Sequence, residues 1–262
     1  MASNVHDKAD QRTGEPAMNK LLTSILLLAL PLLARAESVS VAVAVNFTAP
    51  MQKLAIEFEK ESGHTVASSF ASTGKLYAQI KNGAPFEVLL AADDETPAKL
   101  EKEAATVAGS RTTYASGRIV LWSAKPGLVD EQRLKAGDFR HFALPNPRLA
   151  PYGAAAVEML TALKLMDSVQ PKFVLAENLA QSYQFIATGN AELGIVALSQ
   201  VIKEGKIGEG SGWIIPATLH QPIRQDAVLL NAGRGKPAAE AFLKFLKSEK
   251  AKAVMRGFGY DV

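Results

Sequence analysis

The sequence predicts an α/β fold. Three observations carry that expectation: apolar strand patterns alternate with amphipathic helix patterns, glycines close several of the helices, and the first strand is apolar enough to be covered on both faces. Residues 38–45 place valine on every second position with Ser and Ala between, which suits a buried strand of a parallel sheet. Asn46-Phe47-Thr48 ends it. Pro50 then opens a helix with Met51, Leu54, Ala55 and Phe58 on one face, closed by Gly63. Residues 65–69 read as a strand, and Ser72-Thr73-Gly74 precedes a helix carrying Leu76, Tyr77 and Ile80 that stops at Asn82-Gly83. Residues 86–92 form an apolar strand interrupted by Glu87. Asp93-Asp94-Glu95 then begins a helix with acidic residues in its first turn, as the helix dipole prefers.

The alternation continues through the second half. Strands are expected over 117–123, 141–144, 173–176, 193–197, 213–215 and 227–230. Helices are expected over 154–165, from Asn178 through Ile186, and over 237–246 and 249–255. The stretches 114–117 and 220–225 are places where the chain could cross between two lobes.

The N-terminus carries an export pattern. Met18-Asn19-Lys20 is followed by an uncharged Leu-rich run from Leu21 to Leu33 and by Ala34-Arg35-Ala36. This reads as a secretory signal peptide cleaved after Ala36, with residues 1–17 a polar extension. The run is shorter than the roughly 20 apolar residues that span a bilayer comfortably. Beyond it no hydrophobic run approaches that length. The chain has no cysteine, so an exported core must hold without disulfides. Its net charge is +3, of which residues 1–36 carry +1, leaving +2 on residues 37–262 with no basic block. That balance argues against a nucleic-acid partner.

No catalytic or metal-binding constellation stands out. The four histidines, His6, His64, His141 and His220, are too scattered for metal-ligand spacing, and no zinc-protease, nucleophile-elbow or phosphate-loop motif is present. No metal cation ligands and no cofactor are expected. Asp93-Asp94 reads as a solvated first helical turn, Trp122 and Trp213 as core or interface residues, and Lys75, Lys81, Lys99 and Lys102 as solvent-facing. What remains are four strand-to-helix turns with short or polar residues: Val45-Asn46-Phe47-Thr48, Ser72-Thr73-Gly74, Pro151-Tyr152-Gly153 and Glu177-Asn178-Leu179. Each offers N–H groups without intrahelical partners at the positive end of a helix. Any one alone reads as simple capping; together they make a binding site only if they converge.

At these turns the chain resembles the molybdate-binding proteins of ABC transporters. Val-Ala-Val-Asn-Phe-Thr, Ser68-Ser69-Phe70-Ala71-Ser72-Thr73, Asn82-Gly83-Ala84-Pro85, Ala91-Ala92-Asp93, Leu121-Trp122-Ser123-Ala124-Lys125-Pro126-Gly127-Leu128, Ala150-Pro151-Tyr152-Gly153, Leu193-Gly194-Ile195-Val196-Ala197-Leu198 and Gly257-Phe258-Gly259-Tyr260 follow in the family's order. The resemblance implies a two-lobed type II periplasmic-binding-protein fold with the ligand in the interlobe cleft. Lobe I would be 37–116 plus 224–262, and lobe II 117–223. The implied oxyanion ligands are Asn46, Thr73 (backbone and hydroxyl), and the backbone N–H groups of Tyr152 and Leu179. The chain departs from some members at Val45, which has no hydroxyl, and at Ala197, where one branch has a donating tyrosine. The implied function is capture of molybdate or tungstate in the periplasm by a monomer, with delivery to an ABC importer's membrane permease. The alternatives are another oxyanion such as sulfate or phosphate, a ferric complex, a scaffold or chemoreceptor partner, or a secreted α/β enzyme built on Ser123 and His141. On this reading Thr73→Ala weakens ligand binding while leaving the ligand-free stability nearly unchanged.

Overall fold

The structure, a computed structural model, describes residues 36–127 and 129–262; the expected leader and Leu128 lie outside the described residues. Two five-stranded mixed sheets organise the chain. The first contains β1 (Ser38–Ala44), β2 (Thr65–Ala71), β3 (Val88–Leu90), β4 (Thr112–Gly117) and β12 (Ile223–Leu229), in the order β2-β1-β3-β12-β4. The second contains β5 (Ile119–Ser123), β6 (Phe142–Pro145), β7 (Phe173–Ala176), β8 (Leu193–Ala197) and β11 (Ser211–Ile214), in the order β11-β5-β8-β6-β7. A short hairpin, β9 (Ile202–Lys203) with β10 (Lys206–Ile207), stands apart.

Strand β1 pairs in parallel with β2 and β3, so it lies inside its sheet. Its valines face one side and Ala42 the other, and both sides are covered. Val39, Val41 and Val43 join Phe47, Met51, Leu54 and Phe58. The last three come from α1 (Thr48–Ser62), whose spacing puts them on one stripe. Phe242, Phe245 and Met255, from α9 (Pro237–Leu246) and α10 (Glu249–Gly257), complete that cluster. Ala42 packs with Leu76, Leu89 and Leu100 on the opposite face, under α2 (Thr73–Lys81) and α3 (Glu95–Lys102). Burying side chains of this size contributes roughly 1.5–3 kcal/mol each. Helix α1 stops where Gly63 takes φ 73°, a left-handed conformation that glycine adopts without a Cβ clash. The second sheet is sandwiched likewise: Ile119 and Leu121 of β5 face one cluster, Val120 and Trp122 the other. Its helices are α4 (Glu131–Ala136), α5 (Pro151–Ala162), α6 (Met166–Val169), α7 (Leu179–Ala187) and α8 (Leu198–Val201).

Several elements differ from the sequence expectation, each for a local reason. The strand expected over 117–123 is two strands in different sheets, broken at Arg118. The stretches 114–117 and 220–225 flank the passages between the two sheets. Tyr114–Gly117 and Ile223–Gln225 are strand ends of the first sheet, where Gly117 pairs with Ile223. The chain passes to the second sheet at Arg118 and returns through the segment after β11. Helix α5 begins three residues earlier than expected, because Pro151 at its first position needs no N–H partner there. Helix α3 begins at Glu95 rather than Asp93: Asp94 holds the cap position, and Asp93, one residue before it, accepts from the Thr96 backbone N–H through Oδ1. Helix α4 and the β9–β10 hairpin are too short to show a period, and neither was anticipated.

Gly117 shows how tightly the crossing is packed. A Cβ there would lie 2.0 Å from the Tyr152 hydroxyl and 2.6 Å from Gln225 Nε2. Both groups are buried and hydrogen-bonded to each other, so neither can swing away freely. Gly117→Ala is therefore expected to destabilise the protein by about 1–3 kcal/mol through overpacking, measured by denaturant unfolding. A change within about 0.5 kcal/mol would show that the crossing yields.

Candidate functional site

Each of the four sequence-predicted turns opens a helix after a strand. Asn46 lies in a 3-10 turn, Val45–Phe47, that leads β1 into α1. Thr73 is the first residue of α2, with Ser72 in extended conformation before it. Tyr152 follows Pro151 at the start of α5, and Leu179 begins α7. Asn178 caps α7 by accepting from the Gln181 N–H, leaving the N–H of Leu179 outside that cap. At these positions the first N–H groups have no intrahelical acceptor and carry the positive end of the helix dipole.

The four turns converge. Ala44, Val45, Asn46, Ser72, Thr73 and Ala92 wall a cavity from the first sheet's side; Ala150, Pro151, Tyr152 and Leu179 close it from the second's. None of these residues is charged. The enclosed space is small, about 10 Å3, far below the roughly 300–1,000 Å3 of pockets for larger ligands. Charged groups stand one layer out. Asp93, Asp94, Arg148, Glu158 and Arg224 line a wider cleft that adjoins the cavity at Ala92, Ala150 and Pro151.

A buried polar web holds the turns in place. The two protons of Asn46 Nδ2 are shared among Gln225 Oε1 at 2.9 Å, the Tyr260 hydroxyl at 3.0 Å and the Tyr152 hydroxyl at 3.3 Å. Gln225 Nε2 donates to the Tyr152 hydroxyl, and the Tyr114 hydroxyl is 3.0 Å from Gln225 Oε1. Ser199 Oγ and the Tyr260 hydroxyl donate to the Asn46 carbonyl. A register shift in β12 between Gln225 and Asp226 marks a bulge. Gln225 bonds into the web, and Asp226 pairs with Arg111 and Thr113. Burial raises Tyr114, Tyr152 and Tyr260 above the ordinary phenol range, so all three hold their protons.

This arrangement revises what each residue can offer a ligand. The Asn46 amide is committed to the web, so the group that remains is its backbone N–H. The Tyr152 hydroxyl accepts in the same web, which fixes its position, and the residue's backbone N–H lies in the first turn of α5. Thr73 Oγ1 accepts from the buried Ala92 N–H at 3.0 Å. That bond occupies a lone pair and leaves the hydroxyl proton free to donate. Ala197 is buried at the end of β8 and is not part of the cavity wall.

Other expectations are corrected too. Lys75 does not simply face solvent: its Nζ lies 2.7 Å from Glu177 Oε2, joining α2 to the turn before α7. Both groups are well exposed, so the pair contributes at most about 1 kcal/mol. Asp93 is half-buried rather than solvated, and burial raises its carboxyl to about 6 against the hydrogen bonds from Thr96. Trp122 is buried and stacked on Tyr183, whereas Trp213 is only partly buried. Ser123 Oγ accepts from the Lys125 N–H while His141 faces Glu192, and among the described residues no hydrogen bond joins Ser123 to His141. Sequence reasoning missed Ser199, Gln225, Tyr260 and Gly117 as supports of the site. Tyr260 does fall in the family-like Gly-Phe-Gly-Tyr terminus, the one signal that could have found it.

A two-lobed α/β architecture with helix N-termini facing an interlobe cavity is the construction of a solute-binding protein, and the comparisons agree. The model of the bacterial extracellular solute-binding protein family matches residues 39–261. The chain is 58% identical over 231 residues to the molybdate-binding protein ModA of Azotobacter vinelandii, covering 87% of this chain and 92% of that protein. It is 46% identical to ModA of Rhodobacter capsulatus, covering 91% and 93%. The solved Azotobacter vinelandii periplasmic molybdate-binding protein superposes with a TM-score of 0.82 at 43% identity, covering 86% of this chain and 99% of that one. The chain belongs to the bacterial extracellular solute-binding protein family.

Thr73→Ala leaves the buried Ala92 N–H unsatisfied, so it is expected to lower ligand-free stability by about 1–3 kcal/mol. This corrects the expectation of an unchanged ligand-free protein. Thr73→Ser, which keeps the acceptor, should restore most of the loss in denaturant unfolding. Asp93 supplies a pH dependence. Its folded value of about 6 exceeds its ordinary 3.8, so the folded state holds the proton more tightly than the unfolded chain. Its contribution favours folding below about 3.8 and is lost as pH rises towards about 6. Asp93→Asn should remove that component, so the variant should gain thermal midpoint relative to the parent as pH rises from 4 to 6.5. Parallel profiles would contradict the assignment.

Proposed function

We propose that this protein captures molybdate, and tungstate with it, as the intact tetrahedral dianion and hands it to the membrane permease of an ABC importer. The observation that carries the reading is the convergence of four helix N-termini on one small cavity without charged walls. A dianion leaving water gives up a large hydration energy, which only dense preorganised donors can replace. Hydrogen bonds to a charged partner contribute about 1.5–3 kcal/mol each, and helix N-termini add partial positive charge. The proposed donors are the Asn46 N–H, the Thr73 N–H and hydroxyl, and the N–H groups of Tyr152 and Leu179. The same residues would hold the molybdenum, as its oxyanion, with no direct metal ligand. The naming of the ModA relatives as molybdate-binding supports this choice of solute.

Competing solutes fit the site less well. Hydrogen phosphate carries a proton that needs an acceptor, and the cavity wall has no carboxylate. A ferric ion needs anionic oxygens, but the Tyr152 hydroxyl is neutral and committed, and Glu177 is paired with Lys75. Sulfate offers the same charge with shorter bonds, so its exclusion rests on cavity size. We further infer a periplasmic monomer, exported through the leader, with lobe I as 37–116 plus 224–262 and lobe II as 117–223. Delivery then works by cleft closure, because the donors divide between the two sheets.

Calorimetry with molybdate, tungstate, sulfate and phosphate tests the reading. Molybdate and tungstate should bind tightly, with sulfate and phosphate weaker by a factor of 100 or more, about 2.7 kcal/mol. Tight sulfate binding without molybdate binding would overturn it.

A further inference from the structure

Ser72 is a polar residue that the fold does not use. It is 3% exposed, and its Oγ is the buried side-chain oxygen that has no hydrogen-bond partner among the described residues. It occupies the cap position of α2, where a serine hydroxyl ordinarily accepts from the second or third helical N–H, yet makes no capping bond. A buried hydroxyl left unpaired costs about 1–3 kcal/mol. Native structures rarely leave such a group without a reason, and Ser72 lines the cavity on which the four helix starts converge.

We propose that the Ser72 hydroxyl is a further ligand donor, bonding the bound oxyanion alongside Thr73. The proposal rests on the oxyanion reading above and extends it by one residue. Ser72 and Thr73 are consecutive and do different work. Thr73 Oγ1 is oriented by the Ala92 N–H that it accepts, whereas Ser72 Oγ has no partner of its own and gains one when the cavity fills. The oxyanion has only acceptor oxygens, so a rotatable O–H can turn to meet it without needing an acceptor in return.

Ser72→Ala tests this in the full chain, with calorimetry for molybdate and a thermal midpoint without ligand. The expected result is a loss of affinity of about ten-fold or more, with the ligand-free midpoint unchanged or raised because an unpaired buried hydroxyl is gone. Unchanged affinity overturns the proposal. So does a ligand-free midpoint that falls along with affinity, since that pattern belongs to a structural cap. Ser72→Thr keeps the hydroxyl and should retain most of the affinity, which separates loss of the donor from disturbance of the turn. If the parent ignores molybdate but binds sulfate, the choice of solute has failed independently. The same variants titrated with sulfate then decide the role of Ser72 by the same ten-fold criterion.

Discussion

The Tyr152 hydroxyl, buried where the two lobes meet, is the interaction on which the rest of the structure depends. It accepts from Asn46 Nδ2 and from Gln225 Nε2, and it lies against Gly117, where the chain passes from one sheet to the other. Tyr152 belongs to α5, which packs on the second sheet, while Asn46 and Gln225 belong to the first. The bonds therefore fix two helix starts relative to each other through side chains while leaving their backbone N–H groups free for a ligand. Removing either amide would leave a buried hydroxyl short of partners and loosen the alignment of the two turns.

That division of labour explains why a site for a doubly charged solute can be built without countercharges. A lysine or arginine in the cavity would bind many anions; fixed N–H groups bind the one whose oxygens meet them. The neutral state of Tyr114, Tyr152 and Tyr260, held by burial, keeps negative charge out of the wall. The carboxylates that do occur nearby sit in the adjoining cleft, and the most buried of them, Asp93, is pushed by desolvation towards its neutral form.

Much of this was legible in the sequence. The valine alternation of β1, the α1 stripe ended by Gly63, and the polar turns before the helices are local patterns, and local patterns decide local structure. The residues at the four helix starts could be named because a helix start is marked by its own few residues. What was not legible is long-range. The amide of Asn46 meets Tyr260 across 214 positions and Gln225 across 179, and no period in the chain relates them. The sequence marks Asn46 as a polar residue at a helix start, but not that its amide ties that turn to Tyr260 and Gln225. Residues 117–123 read as one strand because Arg118 alone carries the crossing. The role of Ser72 was hidden for the opposite reason: a serine before a helix looks like a cap, and only the packed structure shows that it caps nothing.

The account rests on the solute being held as an unaltered tetrahedral oxyanion by hydrogen bonds alone. X-ray absorption at the molybdenum edge of the protein–molybdate complex tests this most directly. The prediction is a spectrum matching free molybdate, with only short bonds to four oxo groups and no added ligand from the protein. An expanded coordination shell, with a carboxylate or other protein atom bound to the metal, would contradict it.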